Sequence, residues 1–220
     1  MSKLLIFIPS IEDGGVEKNL FLITNYLIGK GVSVSLITAN KEKKKFFNRR
    51  LDFISSNNYY WSSKGRFLKT IFFFYLLLKF YLQNKNFLIL SFQANIYAIF
   101  FSFILRLKII TRSNTAPGGW SSNILKRLIF KVSFKYPVEI IVNSIDFKKQ
   151  LDNEFKIKTI CIYNPFNKID VEKKSRKKIS FNFFNKNSSF INIINIGRMT
   201  DQKDQMLILK SLNSLKDRIK

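Results

Sequence analysis

The feature that most constrains the fold is a repeated alternation of short apolar runs with longer segments of helical periodicity. The predicted strands are Leu4–Ile8, Val32–Thr38, Leu51–Ile54, Phe87–Ser91, Lys108–Arg112, Glu139–Asn143 and Thr159–Tyr163; the predicted helices are Gly15–Lys30, Arg66–Gln83, Asn95–Leu105, Ser121–Phe134 and Ile145–Phe155. Strands joined by helices in this way form a parallel sheet that is covered on both faces. The chain is therefore predicted to be α/β, with a Rossmann-like doubly wound parallel sheet whose ligands bind outside the carboxyl ends of the strands.

The character of the chain changes after the last of these strands. Residues 168–189 are rich in Lys, Asn and Ser, which is typical of a linker. Phe190–Ile196 then predicts a new strand and Gln205–Leu215 a new helix. We therefore predict a first domain over residues 1–167, a basic linker over residues 168–189, and the start of a second, truncated Rossmann-like domain over residues 190–220.

Two segments raise the question of a membrane. Asn86–Leu105 carries no charge and is long enough to span a bilayer, but the polar residues in its middle are costly there. A strand, a turn and a helix with Asn95 as N-cap explain this segment better. The helix Arg66–Gln83 is nearly continuous in Phe and Leu and is flanked by lysines, so it either packs on the sheet or lies in a membrane interface. Burial is favoured for most of that helix.

The net charge of the chain indicates which classes of partner it favours. Lys and Arg number 38 against 14 Asp and Glu, giving a net charge of +24, which favours anionic membranes, phosphate-bearing substrates or nucleic acid. A solvated basic face with no specific partner is the alternative. There is no histidine, so no site of this chain uses one. The single cysteine, Cys161, and the absence of a signal-peptide pattern predict a cytoplasmic protein.

Glycines occur at two predicted strand-to-helix turns. Gly14 and Gly15 stand between the first strand and the first helix, where glycine allows a ligand to approach the backbone and the helix N-terminus favours an anion. Gly197 ends the last predicted strand, and Arg198 and Lys203 follow it as possible phosphate ligands. Ordinary turns also use such residues, and the dinucleotide-binding pattern of three spaced glycines is absent.

Four stretches taken together resemble the family 4 glycosyltransferases of GT-B fold. They are Gly14-Gly15-Val16-Glu17-Lys18; Ser91 to Ala98 with Ile110-Thr111-Arg112-Ser113-Asn114; Ile141-Val142-Asn143-Ser144 with Tyr163-Asn164-Pro165-Phe166-Asn167; and Ile196-Gly197-Arg198-Met199 with Gln202-Lys203-Asp204. Their order and spacing match the N-terminal domain and the opening of the C-terminal domain of that family. A histidine that many members carry after the fourth strand is missing, since Ser91-Phe92-Gln93 stands there.

The resemblance implies a function and a set of site residues. It implies a retaining transfer of a sugar, of hexosyltransferase type, from a nucleotide-sugar to a lipid-linked or polysaccharide acceptor of the cell envelope, with neither a metal nor a cofactor. Arg198 and Lys203 match the basic pair on the donor diphosphate. Gly14, Gly15 and Gly197 would line the cleft with backbone, and the candidates on the acceptor side are Gln93, Asn95, Arg112 and Asn114.

The resemblance leaves the catalytic residues unassigned and places other motifs beyond residue 220. The family's Glu-x7-Glu motif is one of them, so we expect a partial enzyme that is inactive alone. The basic surface would hold it peripherally on the cytoplasmic face of an anionic membrane, at about 1 kcal/mol per Lys or Arg near the surface.

Two alternatives of other classes remain at this stage. One is a basic nucleic-acid-binding module, which the charge favours. No base-stacking motif accompanies that charge, and the aromatic residues fall in core-like apolar runs, so no specific nucleic acid is expected. The other is an integral membrane protein built around Asn86–Leu105.

Overall fold

The computed structural model describes residues 3–11, 14–56, 59–61, 63–84, 86–114, 124–177, 193–197, 199 and 203–215. The chain divides into two compact units, Met1–Lys168 and Ile169–Lys220. The first unit contains a parallel sheet of seven strands in the order β3-β2-β1-β4-β5-β6-β7. The strands are β1 Lys3–Phe7, β2 Val34–Ile37, β3 Asp52–Ile54, β4 Phe87–Ser91, β5 Ile109–Ser113, β6 Glu139–Val142 and β7 Ile160–Cys161.

Helices connect successive strands of this sheet. The α-helices are α1 Gly15–Gly29, α2 Arg66–Gln83, α3 Asn95–Ile104, α4 Ile124–Ser133 and α5 Ile145–Phe155. The predicted strands and helices of the alternation are thus present, with ends that shift by a residue or two; the predicted first turn of α4, residues 121–123, lies outside the described residues. The predicted Rossmann-like, doubly wound parallel sheet is confirmed.

Alternate residues of the central strands supply two separate cores. Leu5 and Phe7 of β1 face α2, α3 and α5, whereas Ile6 and Ile8 face α1 and the segment before β3. β4 divides in the same way, with Ile89 in the first core and neighbouring Leu90 in the second. Both faces of these strands are therefore buried, which explains why their sequences read as continuous apolar runs.

Three features differ from the prediction or were not foreseen. Short 3₁₀ helices occupy Lys41–Phe46 and Tyr59–Trp61. Helix α6 spans Lys168–Ser175 inside the predicted linker, beginning at the last residue of the first unit. It buries no residue, and Lys174 forms an ion pair with Asp170 at 2.8 Å. Because no face of this helix is buried, the sequence has no apolar periodicity that would predict it.

The second predicted strand-and-helix pair is present only in part. Helix α7 spans Gln205–Ser214, in agreement with the prediction. Residues 193–196 are not in a strand, and residues 190–192 lie outside the described part of the chain. A strand needs a partner for its backbone groups, and the one sheet found among the described residues does not include 193–196.

The segment considered as a membrane span is a strand, a turn and a helix, as the alternative reading predicted. Among the described residues, no helix combines the length and the apolarity that crossing a bilayer requires. Helix α2 packs one face on the sheet through Phe73, Leu77 and Phe80.

Candidate functional site

The carboxyl ends of β1 and β4 form the switch point of the sheet. β1 lies between β2 and β4, and the helix after β1 covers one face while the helix after β4 covers the other. Phe7 pairs with Ser91, so the two strands end at the same level. In open α/β sheets the crevice at this position is where ligands bind, which makes it the place to look for functional side chains.

The Gly14–Gly15 turn opens helix α1 at this edge. Gly14 is the N-cap and has extended backbone angles, φ −124° and ψ −177°, and no side chain caps the helix there. A Cβ atom on Gly14 would lie 2.7 Å from Oε2 of Glu17, whereas one on Gly15 would meet nothing within 4 Å. An alanine at position 14 would therefore displace the end of the Glu17 side chain, whereas the backbone conformation of Gly14 is open to any residue.

Glu17 fills the space that Gly14 leaves. It occupies the third helical position, is only 5% exposed, and accepts a hydrogen bond of 3.2 Å from Nε2 of Gln93. A carboxylate in the first turn is favourable at the positive end of the helix. The carboxylate of Glu17 thus lies close to the backbone of Gly14, and the role of Gly14 and Gly15 in lining a cleft stays a prediction.

Glu17 was not among the predicted site residues, although it stands in the motif that carries the resemblance. The sequence signal is its spacing, because a glutamate three residues after an N-cap can fold back over the start of its helix. Gln93, which was predicted, is the residue that meets it. This acidic and amide pair joins the first strand-to-helix turn to the end of β4.

Asn95 has a different role from the one predicted. Ala94, and not Asn95, is the N-cap of α3. Oδ1 of Asn95 accepts a 2.7 Å hydrogen bond from Oγ of Ser91, and its Nδ2 donates to the carbonyl of Arg112 at 3.1 Å and lies 3.5 Å from Oγ of Ser113. Asn95 therefore ties the end of β4 to the end of β5 instead of capping its helix.

The turn between β4 and α3 is strained and held from two sides. Ala94 has a positive φ of 55°, a conformation that costs about 1–2 kcal/mol for a residue with a Cβ. The single hydroxyl proton of Ser91 is shared between Oδ1 of Asn95 and the carbonyl of Gln93, which lies 3.0 Å from Oγ of Ser91. Nδ2 of Asn114 donates to the carbonyl of Phe92 at 3.3 Å. Surrounding hydrogen bonds thus fix a strained turn at the sheet edge, as is typical of functional sites.

Arg112 is buried and committed to the chain itself. It is 2% exposed, and its Nη2 donates to Oδ1 of Asn164 at 2.9 Å and to the carbonyl of Ile162 at 3.3 Å. Burial lowers the pKa of the Arg112 guanidinium, and its Nε has no hydrogen-bond partner among the described residues. Arg112 therefore links β5 to the segment after β7, and its role toward an acceptor stays a prediction.

Two of the predicted donor-side residues meet within the second unit. A Cβ on Gly197 would lie 3.4 Å from Cγ of Lys203 and 3.4 Å from Nε2 of Gln205. Asp204 caps α7, accepting a 3.2 Å hydrogen bond from the backbone N–H of Leu207. Arg198 lies outside the described residues, so the basic pair stays a prediction.

The described residues contain no group of three or more His, Cys, Asp or Glu side chains placed to hold a metal ion. Cys161, in β7, is partly buried and forms no disulfide. The polar side chains described at the switch point include one buried carboxylate, several amides and hydroxyl groups.

The seven-stranded parallel sheet with helices on both faces defines a Rossmann-like α/β protein. Solved structures of HepE (Alr3699) from Anabaena are similar in fold. The crystal structure in complex with UDP and glucose matches with a TM-score of 0.52 and 14% identity over 80% of this chain and 50% of that chain. The structure in complex with UDP matches with a TM-score of 0.50 and 14% identity over 79% and 49%.

This chain thus spans about half the length of the HepE chains that it matches. No protein-family model and no curated protein matches the sequence. At 14% identity the likeness to HepE establishes the fold alone.

Proposed function

We propose that this chain forms the acceptor side, and the first elements of the donor side, of a glycosyltransferase that uses a nucleotide-sugar. In this proposal residues 1–167 are the acceptor-side domain, residues 168–189 are the linker, and residues 190–220 begin the donor-binding domain. The support is the Rossmann-like fold, the motifs at both strand-to-helix turns, and the likeness to a protein whose crystals contain UDP and glucose.

The observation that carries the proposal is the chemistry of the switch point. Glu17 supplies acceptor oxygens, while Gln93, Asn95 and Asn114 supply amide groups that both donate and accept. Hydroxyl groups of a sugar also donate and accept, so this set suits a saccharide. A buried carboxylate beside the turn makes the same place unfavourable for a phosphate.

The donor side is proposed to lie at the second turn. Gly197 lets the chain pass close to Lys203, and Lys203 with Arg198 would offset the charge of a nucleotide diphosphate as it leaves. The family resemblance adds retention at the anomeric carbon, hexosyl transfer, and an acceptor that is lipid-linked or a cell-envelope polysaccharide. An anionic membrane surface is the further partner in this proposal, and the cytoplasmic side of that membrane the proposed location.

The side-chain amides of Gln93, Asn95 and Asn114 allow a direct test by nuclear magnetic resonance. The full 220-residue chain, labelled with ¹⁵N, is titrated with glucose, with methyl glucosides and separately with UDP. The proposal expects saccharides to shift these amide signals, and UDP to shift the backbone signals of Gly197 and Lys203. Gln93→Ala identifies one signal by its loss and should weaken the response of the other two.

Three outcomes would contradict the proposal. One is that no saccharide shifts the switch-point amides at millimolar concentration. Another is that pyrophosphate or a short DNA duplex shifts the same signals as strongly as the saccharide, which would favour the nucleic-acid-binding alternative. The third is transfer of sugar by these 220 residues alone at a rate typical of a whole enzyme, because the proposal assigns most of the donor pocket to sequence that this chain does not contain.

A further inference from the structure

The outward face of helix α2 is apolar. Its exposed side chains include Leu68, Ile71, Tyr75, Leu78 and Leu82. Their spacing of three and four residues places them on one stripe, about 21 Å long at 1.5 Å per residue. Phe73 and Leu77 on the opposite side pack on the sheet. Packing on the sheet therefore explains the apolar residues on one side of this helix but not those on the other.

Helices α3 and α4 continue this apolar face. Exposed apolar residues at matching helical spacing are Tyr97, Phe100 and Ile104 on α3 and Ile124, Leu128 and Val132 on α4. Ile124 is 83% exposed and Phe100 62%. The rings of Phe74 and Phe101 stack at 4.9 Å between α2 and α3, and α3 contacts α4. Together with the α2 stripe, these residues form what we term the outer apolar surface.

The other two helices on the sheet do not share this property. On α5 the exposed positions are mostly polar, such as Lys149, Gln150 and Asn153, and Ile145 is the exposed apolar residue. On α1 they include Lys18 and Asn25 beside Tyr26. A bias toward Ile and Phe throughout the chain would affect all five helices, so the outer apolar surface is a local feature. Apolar surfaces of this extent mark interaction sites.

The helices that carry the outer apolar surface have basic but no acidic side chains, and among the described residues the acidic one that meets them is Glu154 of α5, which pairs with Arg127 of α4. From Phe53 to Val138 the sequence contains no Asp or Glu but twelve Lys and Arg residues. Lys79, Arg106, Lys131 and Lys135 are exposed on or beside α2, α3 and α4. Long basic side chains next to apolar ones can place their charge at lipid headgroups while their stems stay in apolar surroundings.

We propose that the outer apolar surface is the face by which this protein docks on an anionic lipid bilayer, with α2, α3 and α4 lying in the plane of the interface. A bilayer offers acyl chains to the apolar stripes and negative headgroups to the surrounding lysines and arginines. A second copy of the chain would instead bring two basic rims together, and a nucleic acid would leave the apolar stripes uncovered.

This inference names the membrane-facing surface of the glycosyltransferase proposed above. Its test contains no nucleotide-sugar and no saccharide, so membrane docking can fail while the proposed sugar transfer and its saccharide and UDP sites stand, and the reverse is also possible.

The first experiment locates the contact. In a Cys161→Ser background, a single Leu128→Cys or Tyr26→Cys substitution carries a polarity-sensitive fluorophore, and the full chain is mixed with vesicles. We expect a blue shift at position 128 with vesicles of phosphatidylglycerol and phosphatidylcholine, little shift with phosphatidylcholine alone, and no shift at position 26. Equal shifts at both positions, or none at position 128, would overturn the proposal.

The second experiment measures how much the surface contributes. The triple variant Ile124→Gln, Leu128→Gln and Val132→Gln should lower partitioning onto the anionic vesicles about tenfold or more. The control, Tyr26→Gln with Ile145→Gln, removes two exposed apolar groups on α1 and α5, outside the outer apolar surface, and should leave partitioning unchanged. All these sites are exposed, and circular dichroism verifies that both variants fold.

Binding by the triple variant as strong as by the unmodified chain would overturn the proposal. A second result would also overturn it: the unmodified chain binds no vesicles, forms a dimer in sedimentation, and loses that dimer in the triple variant. That result would assign the surface to a second copy of the chain.

Discussion

Substitution of the two adjacent glycines before helix α1 should have opposite effects on stability. Gly14→Ala places a Cβ atom 2.7 Å from Oε2 of Glu17, closer than non-bonded atoms approach, whereas Gly15→Ala places one in open space. Both glycines are exposed and lie at the same helix start. The pair therefore isolates the effect of crowding Glu17 from any general effect of losing a glycine.

The expected magnitudes follow from the contacts. In Gly14→Ala the buried Glu17 carboxylate must move, and the loss of its 3.2 Å hydrogen bond from Gln93 lowers stability by about 1 kcal/mol. Alanine is also a poorer N-cap than glycine, which lowers stability by about 0.5 kcal/mol more. Gly15→Ala instead gains about 0.5–1 kcal/mol, because alanine restricts the unfolded chain and favours the helix. The two variants should therefore differ by about 2 kcal/mol in the free energy of unfolding.

Urea denaturation of the full chain, followed by circular dichroism at 222 nm, measures both variants. The single variant Glu17→Ala and the double variant Gly14→Ala with Glu17→Ala complete a double-mutant cycle, since removing the carboxylate makes room for the new Cβ. We expect a coupling energy of about 1 kcal/mol between the two positions. The reasoning is refuted if both glycine variants shift stability in the same direction and by the same amount, or if the cycle shows no coupling.

Three further predictions concern side chains of the first unit whose hydrogen bonds link separate segments of the chain. Asn95→Ala removes its hydrogen bonds to Ser91 and to the carbonyl of Arg112 and should lower the free energy of unfolding by about 2 kcal/mol, as read from urea denaturation; an unchanged midpoint would contradict this. Arg112→Ala should destabilise by about 2–3 kcal/mol because it opens a cavity, and Arg112→Met by less than about 1 kcal/mol because methionine fills the space. Equal losses in the two variants would show that the hydrogen bonds matter and not the packing. Tyr136 donates from its hydroxyl toward the carbonyls of Ser102 and Leu107, and burial raises the pKa of that hydroxyl above its ordinary value. Its contribution is therefore complete below pH of about 10 and lost as pH rises further, so Tyr136→Phe should be less sensitive than the unmodified chain to alkaline denaturation.

The sequence predicted the elements of the sheet because their signals are local. An apolar run such as Phe87–Ser91 and a helical stripe such as that of Ile145–Phe155 each depend on neighbours within a few residues. Prediction failed where the local signal was absent or misleading. The charged helix Lys168–Ser175 has no apolar face, whereas residues 193–196 form an apolar run that does not lie in a strand.

The sequence named several residues of the candidate site but did not predict which of them contact each other. Gln93 and Asn95 were named because the family resemblance implies an acceptor side at the end of β4, but their partners lie far along the chain. Glu17 meets Gln93 across 76 positions, and Arg112 meets Asn164 across 52. No local pattern encodes such pairs, so the change of Asn95 from helix cap to strand tie became evident only in the folded chain.

The sequence by itself therefore determined a doubly wound sheet, because side-chain periodicity is set by the backbone of each element. The tertiary structure decided which polar groups meet at the switch point and which apolar faces remain uncovered. Helix α2 is apolar on two sides, and its sequence alone cannot say which side packs on the sheet. Packing buries Phe73 and Leu77 and leaves Ile71 and Tyr75 exposed, because one helix can turn only one face to a sheet.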